Sequence, residues 1–167
     1  IASGIYAVTH FAITTDIIVG FPGETEAQFE ETVSLVRDAG FDDAYTFRYS
    51  IREGTPGARL KDQVPDDVSA RRLARLIEVV RSQVRTRNMD RVGATHEVLV
   101  ERPARRGSMM LGRTRTNHLV LVNRPEEAVG EYHKVRLTGT TGSTFTGEIV
   151  TPQLAALARF RIRSRYT

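Results

Sequence analysis

Apolar positions change their period at Gly93. Before it they recur at helical spacing between short apolar runs, and after it they alternate. Residues 12–19 (AITTDIIV) are rich in β-branched side chains and run into a Gly-Pro turn, which predicts a buried strand. Residues 25–39 predict a helix. Phe29, Val33 and Val36 share one face, Glu26, Glu30 and Glu31 stay wet, Thr25 and Gln28 have capping-box spacing, and Gly40 is a natural stop. Residues 44–49 (AYTFRY) predict the next strand. Strand, helix and strand with short connections make a right-handed βαβ crossover and a parallel pair. Two strands do not form a stable sheet alone, so the rest of this sheet is expected from elsewhere. The chain opens on Ile1 rather than Met and reads as a fragment.

A turn-rich stretch from Glu53 to Pro65 precedes a long helix, roughly Asp66–Asn88. Leu73, Leu76, Ile77, Val80 and Val84 form its apolar stripe. Arg71, Arg72, Arg75, Arg81 and Arg85 lie off the stripe and read as a solvated face, with RNA contact the alternative. Past Gly93, residues 96–101, 110–114, 118–122, 134–138 and 145–150 predict five short antiparallel strands separated by turns, the pattern of a small OB-like barrel. The fold class that follows is an α/β segment joined by a long helix to a five-stranded all-β barrel. Its parts are 1–60, the helix 61–92, the barrel 93–151, and a basic tail 152–167 expected to be poorly ordered.

Composition narrows the chemistry. Of 167 residues none is cysteine, which excludes disulfides and any zinc or iron–sulfur cluster held by cysteines of this chain. Residues 1–92 carry 12 Arg/Lys against 14 Asp/Glu, whereas residues 93–167 carry 12 against 6. A basic C-terminal half points to a polyanion, nucleic acid first. Arg outnumbers Lys 22 to 2, which suits phosphate binding by guanidinium groups but is equally what a GC-rich coding bias produces. No apolar run is long enough to span a bilayer, and a cytoplasmic location is expected.

The turn Gly20–Thr25 (GFPGET) lies where an α/β unit presents backbone N–H groups to a ligand. It lacks the spacing of a P-loop or a dinucleotide fingerprint, so a structural role competes with a binding role. Asp16 interrupts an apolar strand, and a carboxylate there needs a cavity or a partner such as Thr14 or Thr15. Arg48 and Arg52 end the second strand as candidates for a carboxylate or phosphate, or as salt-bridge partners of Asp42, Asp43 or Glu53. Gly112–Asn117 (GRTRTN) offers guanidinium and hydroxyl groups suited to phosphates and 2′-OH groups. Barrel aromatics able to stack bases are sparse, Tyr132 and Phe145. His10, His96, His118 and His133 have no metal-ligand spacing, and no catalytic or metal residue is assigned.

TTDIIVGFPGETEAQFEETVSLV, FDDAYTFRYSIREGTPGARL and GRTRTNHLVLV, in this order, resemble the C-terminal half of the MiaB-type radical-SAM tRNA methylthiotransferases. The similarity covers roughly Ala12–Val150 and departs from the family at Ile51 (often Pro), Gly57 (often Ala) and near Thr144 (often an aromatic). It implies that residues 1–60 are the end of a radical-SAM (β/α) barrel and that the five strands are a TRAM domain. The implied enzyme adds a methylthio group to N6-isopentenyladenosine at position 37 of tRNA, using S-adenosylmethionine and two [4Fe–4S] clusters. The cluster cysteines of such an enzyme lie upstream, so the implied partners are tRNA and a missing N-terminal portion. Matched residue by residue, Thr15, Asp16, Gly20, Glu24, Phe47, Arg48 and Ser50 lie around the S-adenosylmethionine pocket. Arg113, Arg115 and Asn117 match the RNA-facing motif. The alternatives are a non-catalytic TRAM RNA-binding module and a fragment of the related ribosomal-protein methylthiotransferase.

Overall fold

The computed structural model describes residues 11–105 and 107–150 in two compact units, divided between Arg87 and Asn88. In the first unit, β1 (Thr14–Val19) and β2 (Asp43–Arg48) run parallel, with Thr14 opposite Asp43 and Val19 opposite Arg48. Helix α1 (Glu26–Ala39) connects them. Thr25 caps it through a reciprocal bond pair with Gln28, and Gly40 ends it in the left-handed conformation at φ +59°. A 3-10 turn at Pro56–Arg59 and the 25-residue helix α2 (Asp66–Asp90) follow.

The core of this unit joins Val19 of β1, Phe29, Val33 and Val36 of α1, and Leu76 and Val80 of α2, with Ile17, Ala44, Leu73, Val79 and Val84 packed against them. Val79 takes the place expected of Ile77, which is only half-buried and outside the cluster. β1 is not the buried strand its composition suggests. Only Val19 is fully covered, and exposure alternates along the strand because the helices cover one face. The opposite face exposes Ile18, Tyr45 and Phe47, with Asp16 beside Tyr45.

The second unit is a closed barrel of β3 (Thr95–Pro103), β4 (Met110–Thr114), β5 (Leu119–Val122), β6 (Tyr132–Thr140) and β7 (Thr144–Ile149), in the order β3-β4-β5-β7-β6. Four pairings are antiparallel, but β5 and β7 pair in parallel, so the barrel is mixed rather than wholly antiparallel. This pairing inserts β7 between β5 and β6, a placement that strand periodicity does not encode. Inward positions alternate as expected, giving a core of Val98, Val100, Val120, Val122, Val135, Leu137 and Phe145 with Met110 and Ala128. Bulges between Val100 and Arg102 and between Leu137 and Gly139 help the strands curve. Asn88, buried at the end of α2, donates to the Gly142 carbonyl at 2.7 Å and belongs to this unit. The expected basic tail lies outside the described residues.

Candidate functional site

Two surfaces contain the residues singled out above. The first lies at the C-terminal ends of β1 and β2. Gly20 sits at φ +75°, and a Cβ there would lie 2.6 Å from Ser69 Cβ, so the approach of α2 requires glycine. Four of the turn's N–H groups are committed within the protein: Gly20 to Glu24 Oε2 at 2.7 Å, Gly23 to the Asp62 carbonyl at 2.7 Å, Glu24 to the Phe21 carbonyl at 2.9 Å, and Thr25 to Gln28. Arg72, buried despite its place off the apolar stripe, donates to Glu24 Oε2 at 2.8 Å and holds Glu26 Oε2 with a second nitrogen at 3.0 Å. The GFPGET turn is therefore a braced strand-to-helix connection, and its N–H groups do not form an anion cradle.

Asp16 is exposed on the open face of the sheet, so it escapes the desolvation cost that a buried position would impose. Thr15 is half-buried on the helix-covered side. Phe47 and Ser50 are exposed beside a cleft of about 550 Å³, which Ile18, Phe21, Tyr49 and Arg52 also line. Arg48 borders the same cleft and pairs with Asp66 at 2.8 Å, not with Asp42, Asp43 or Glu53. Asp42 is buried, accepts from the Ile13 N–H at 2.9 Å, and pairs with Arg87. The structure thus brings Phe47, Arg48 and Ser50 to one cleft, whereas Asp16 lies further back on the open face, beside Tyr45, and does not line it. Gly20 and Glu24 lie inside the turn.

The second surface is the β4–β5 hairpin and its neighbours. Residues 115–117 form a three-residue loop: Thr114 N–H bonds the His118 carbonyl, Asn117 N–H bonds the Thr114 carbonyl, and Asn117 is left-handed at φ +68°. Asparagine tolerates that conformation and closes this hairpin type. Thr114 and Thr116 share a hydroxyl contact at 3.1 Å, and Thr116 reaches His118 Nδ1 at 2.9 Å. The hydroxyls therefore brace the loop. Arg113 donates to Glu101 at 2.9 Å and to Asn117 Oδ1 at 2.6 Å, while Arg115 donates from Nε to Glu97 at 2.5 Å. The Glu97 hydrogen bond pushes the Arg115 pKa further above its usual value. Glu97 and Glu101 flank Leu99 at outward positions of β3, a spacing visible in the sequence but without an obvious partner there. Phe145 is fully buried and presents no stacking surface, whereas Tyr132 is exposed.

The TRAM domain family matches residues 90–150, which contain the barrel. Across most of its length the chain is similar to proteins named tRNA-2-methylthio-N(6)-dimethylallyladenosine synthase. It is 44% identical over 145 residues to the one from Clostridium novyi (strain NT), covering 86% of this chain and 32% of that protein. It is 49% identical over 128 residues to the one from Carboxydothermus hydrogenoformans, covering 76% and 29%. It is 45% identical over 142 residues to the one from Methylacidiphilum infernorum, covering 84% and 30%. The chain is related to the C-terminal part of the MiaB-type tRNA methylthiotransferases. It spans about a third of the length of these relatives.

With the TRAM domain placed, the hairpin lies on its outer surface and the open sheet edge lies in the unit before it. Arg72 and Arg75, read from the helical stripe as a solvated or RNA-facing set, instead pair with Glu24, Glu26 and Glu30. Among the described residues no cluster of three or more His, Asp or Glu could hold a metal ion, and no helix is long and apolar enough to cross a membrane.

Proposed function

We propose that this chain supplies part of the S-adenosylmethionine pocket and the tRNA-binding domain of an enzyme that methylthiolates N6-isopentenyladenosine at position 37 of tRNA. The supporting observation is the order of parts: an open-faced parallel βαβ unit followed by a TRAM domain, at 44–49% identity to relatives whose names state that chemistry. Those names specify tRNA, which favours this reading over the ribosomal-protein alternative.

The residues at the open edge fit S-adenosylmethionine in kind. Phe47 offers an aromatic face to adenine, Ser50 and Arg48 polar contacts at the rim, and Asp16, further back on the same open face, a carboxylate to a cationic group. Gly20 and Glu24 contribute shape rather than contacts, because their surroundings are already packed or bonded, and Thr15 lies half-buried on the helix-covered face, away from the open one. S-adenosylmethionine bound there would supply the methyl and radical chemistry of the reaction. Cysteine-held [4Fe–4S] clusters find no ligands in this sequence, so on this reading they belong to an N-terminal portion acting with this chain in the cytoplasm.

The test joins this chain to the N-terminal portion of its Clostridium novyi relative. After anaerobic reconstitution with iron and sulfide, tRNA carrying N6-isopentenyladenosine is assayed for the methylthio product. The joined protein should be active and this chain alone inactive. Inactivity of the joined protein, while the relative's own C-terminal part gives activity in the same assay, would refute the reading.

A further inference from the structure

One group of side chains on the TRAM domain has an arrangement that phosphate binding alone does not require. Tyr132 opens β6 directly across from Leu99 of β3, and its side chain is exposed. The Arg115 guanidinium lies over its ring, 5.8 Å from the centroid. Glu97 holds Arg115 through Nε, and neither η nitrogen of Arg115 bonds any described residue. The carboxylate and the ring thus orient the guanidinium and leave its bidentate edge open. Lys134 stands opposite Glu97 on β6 and is exposed, adding a second cation to the face.

We infer that the Glu97–Arg115–Tyr132 face stacks one unpaired nucleotide of an RNA, with its base on the exposed part of the Tyr132 ring and a neighbouring phosphate on the Arg115 η nitrogens. This rests on the RNA-binding reading above and adds the strandedness of the RNA that this face takes. Phenol rings stack bases of any identity, because every base has a π-face. Bases inside an A-form duplex are already stacked and present no such face, whereas loop nucleotides do. The Glu97 and Glu101 carboxylates repel phosphate, so only the η side of Arg115 admits one, and that fixes the direction from which the strand arrives.

The test uses the full chain and two labelled probes, an eight-residue oligouridine and a 12-base-pair RNA duplex. Tyr132→Ala should weaken oligouridine binding by about 5- to 150-fold, the range that removing an aromatic stacking partner produces. Duplex binding should change less than twofold, and Tyr132→Trp should keep both affinities. Because Tyr132 is exposed, thermal melting of the Ala variant should match wild type. If it does not, Tyr132→Leu, which keeps apolar bulk without a π-face, should show the same selective loss. Equal losses on both probes, or unchanged oligouridine binding in the Ala and Leu variants, would overturn the inference. If the wild-type chain bound neither probe, the RNA-binding reading itself would fail, and this inference with it.

Discussion

Arg72 shows how one residue can organise a turn that resembles a binding loop. Its guanidinium is buried, bridges Glu24 and Glu26, and donates to the Glu24 carbonyl at 2.9 Å. Glu24 in turn accepts the Gly20 N–H. Removing the cation would leave a nearly buried carboxylate uncompensated and loosen the strand-to-helix connection. Breaking a buried pair from one side costs about 3–5 kcal/mol. Arg72→Ala should therefore lower the unfolding free energy of the first unit, read from urea melts, by that order, and near-normal stability would show that the bridge contributes little. Arg72→Lys should recover only part of the loss, since one ammonium cannot reproduce the fork. Arg75 and Glu30 form a second pair nearby, exposed on both sides. Its hydrogen bond holds the Glu30 carboxyl below its ordinary value. Any stability this pair adds is present at neutral pH and fades as pH falls through the lowered folded value.

The same logic separates the elements. The barrel closes on itself and buries its own core, so it exposes no sheet edge. β1 and β2 form a two-stranded sheet with Ile18, Tyr45 and Phe47 exposed on one face. Residues 88–150 as a separate polypeptide should melt cooperatively and give dispersed amide signals. In the full chain, limiting protease should cut within residues 11–87 before it cuts within residues 88–150, and a non-cooperative melt of 88–150 or equal resistance of both units would contradict this. These elements were legible because each obeys a local period: Phe29, Val33 and Val36 recur every three or four residues, and Val98, Val100, Val135 and Leu137 alternate. The parallel β5–β7 pairing was not, because a period shows which face a residue occupies and not which strand lies beside it. For the same reason Phe145 could be assigned to a strand but not to its inner face. Arg72 escaped because a stripe of apolar positions assigns every charge to water, and its carboxylate partners lie more than forty residues away. Of the candidate sites, the residue types were legible at GRTRTN and at the β2 end, whereas their partners Glu97, Glu101 and Asp66 come from other elements.

For the whole molecule the question is how much of its charge can act on RNA. Residues 93–150 carry eight Arg/Lys against six Asp/Glu, and residues 151–167 add four Arg and no acid. Within the barrel Arg113, Arg115, Arg124 and Arg136 each pair with a carboxylate, so the surface is preoriented more than it is strongly positive. A phosphate reaching Arg113 or Arg115 meets a guanidinium whose position is already fixed, which reduces the ordering cost of binding. Each phosphate contact contributes about 0.7–0.9 to the slope of log affinity against log salt. Arg113→Ala with Arg115→Ala should therefore weaken tRNA binding at low salt and flatten that slope by roughly 1.4–1.8. Preference among tRNA sequences should not change, because phosphate contacts position an RNA without reading its bases. The double variant also leaves Glu97 and Glu101 without their cations, so its loss at low salt should exceed that of Arg113→Ala with Arg115→Ala on a background already carrying Glu97→Gln and Glu101→Gln. Titrations across a salt series check both statements. An unchanged affinity and slope would mean that GRTRTN only closes a hairpin, and the cations to test next would be those of the Arg159–Arg165 segment.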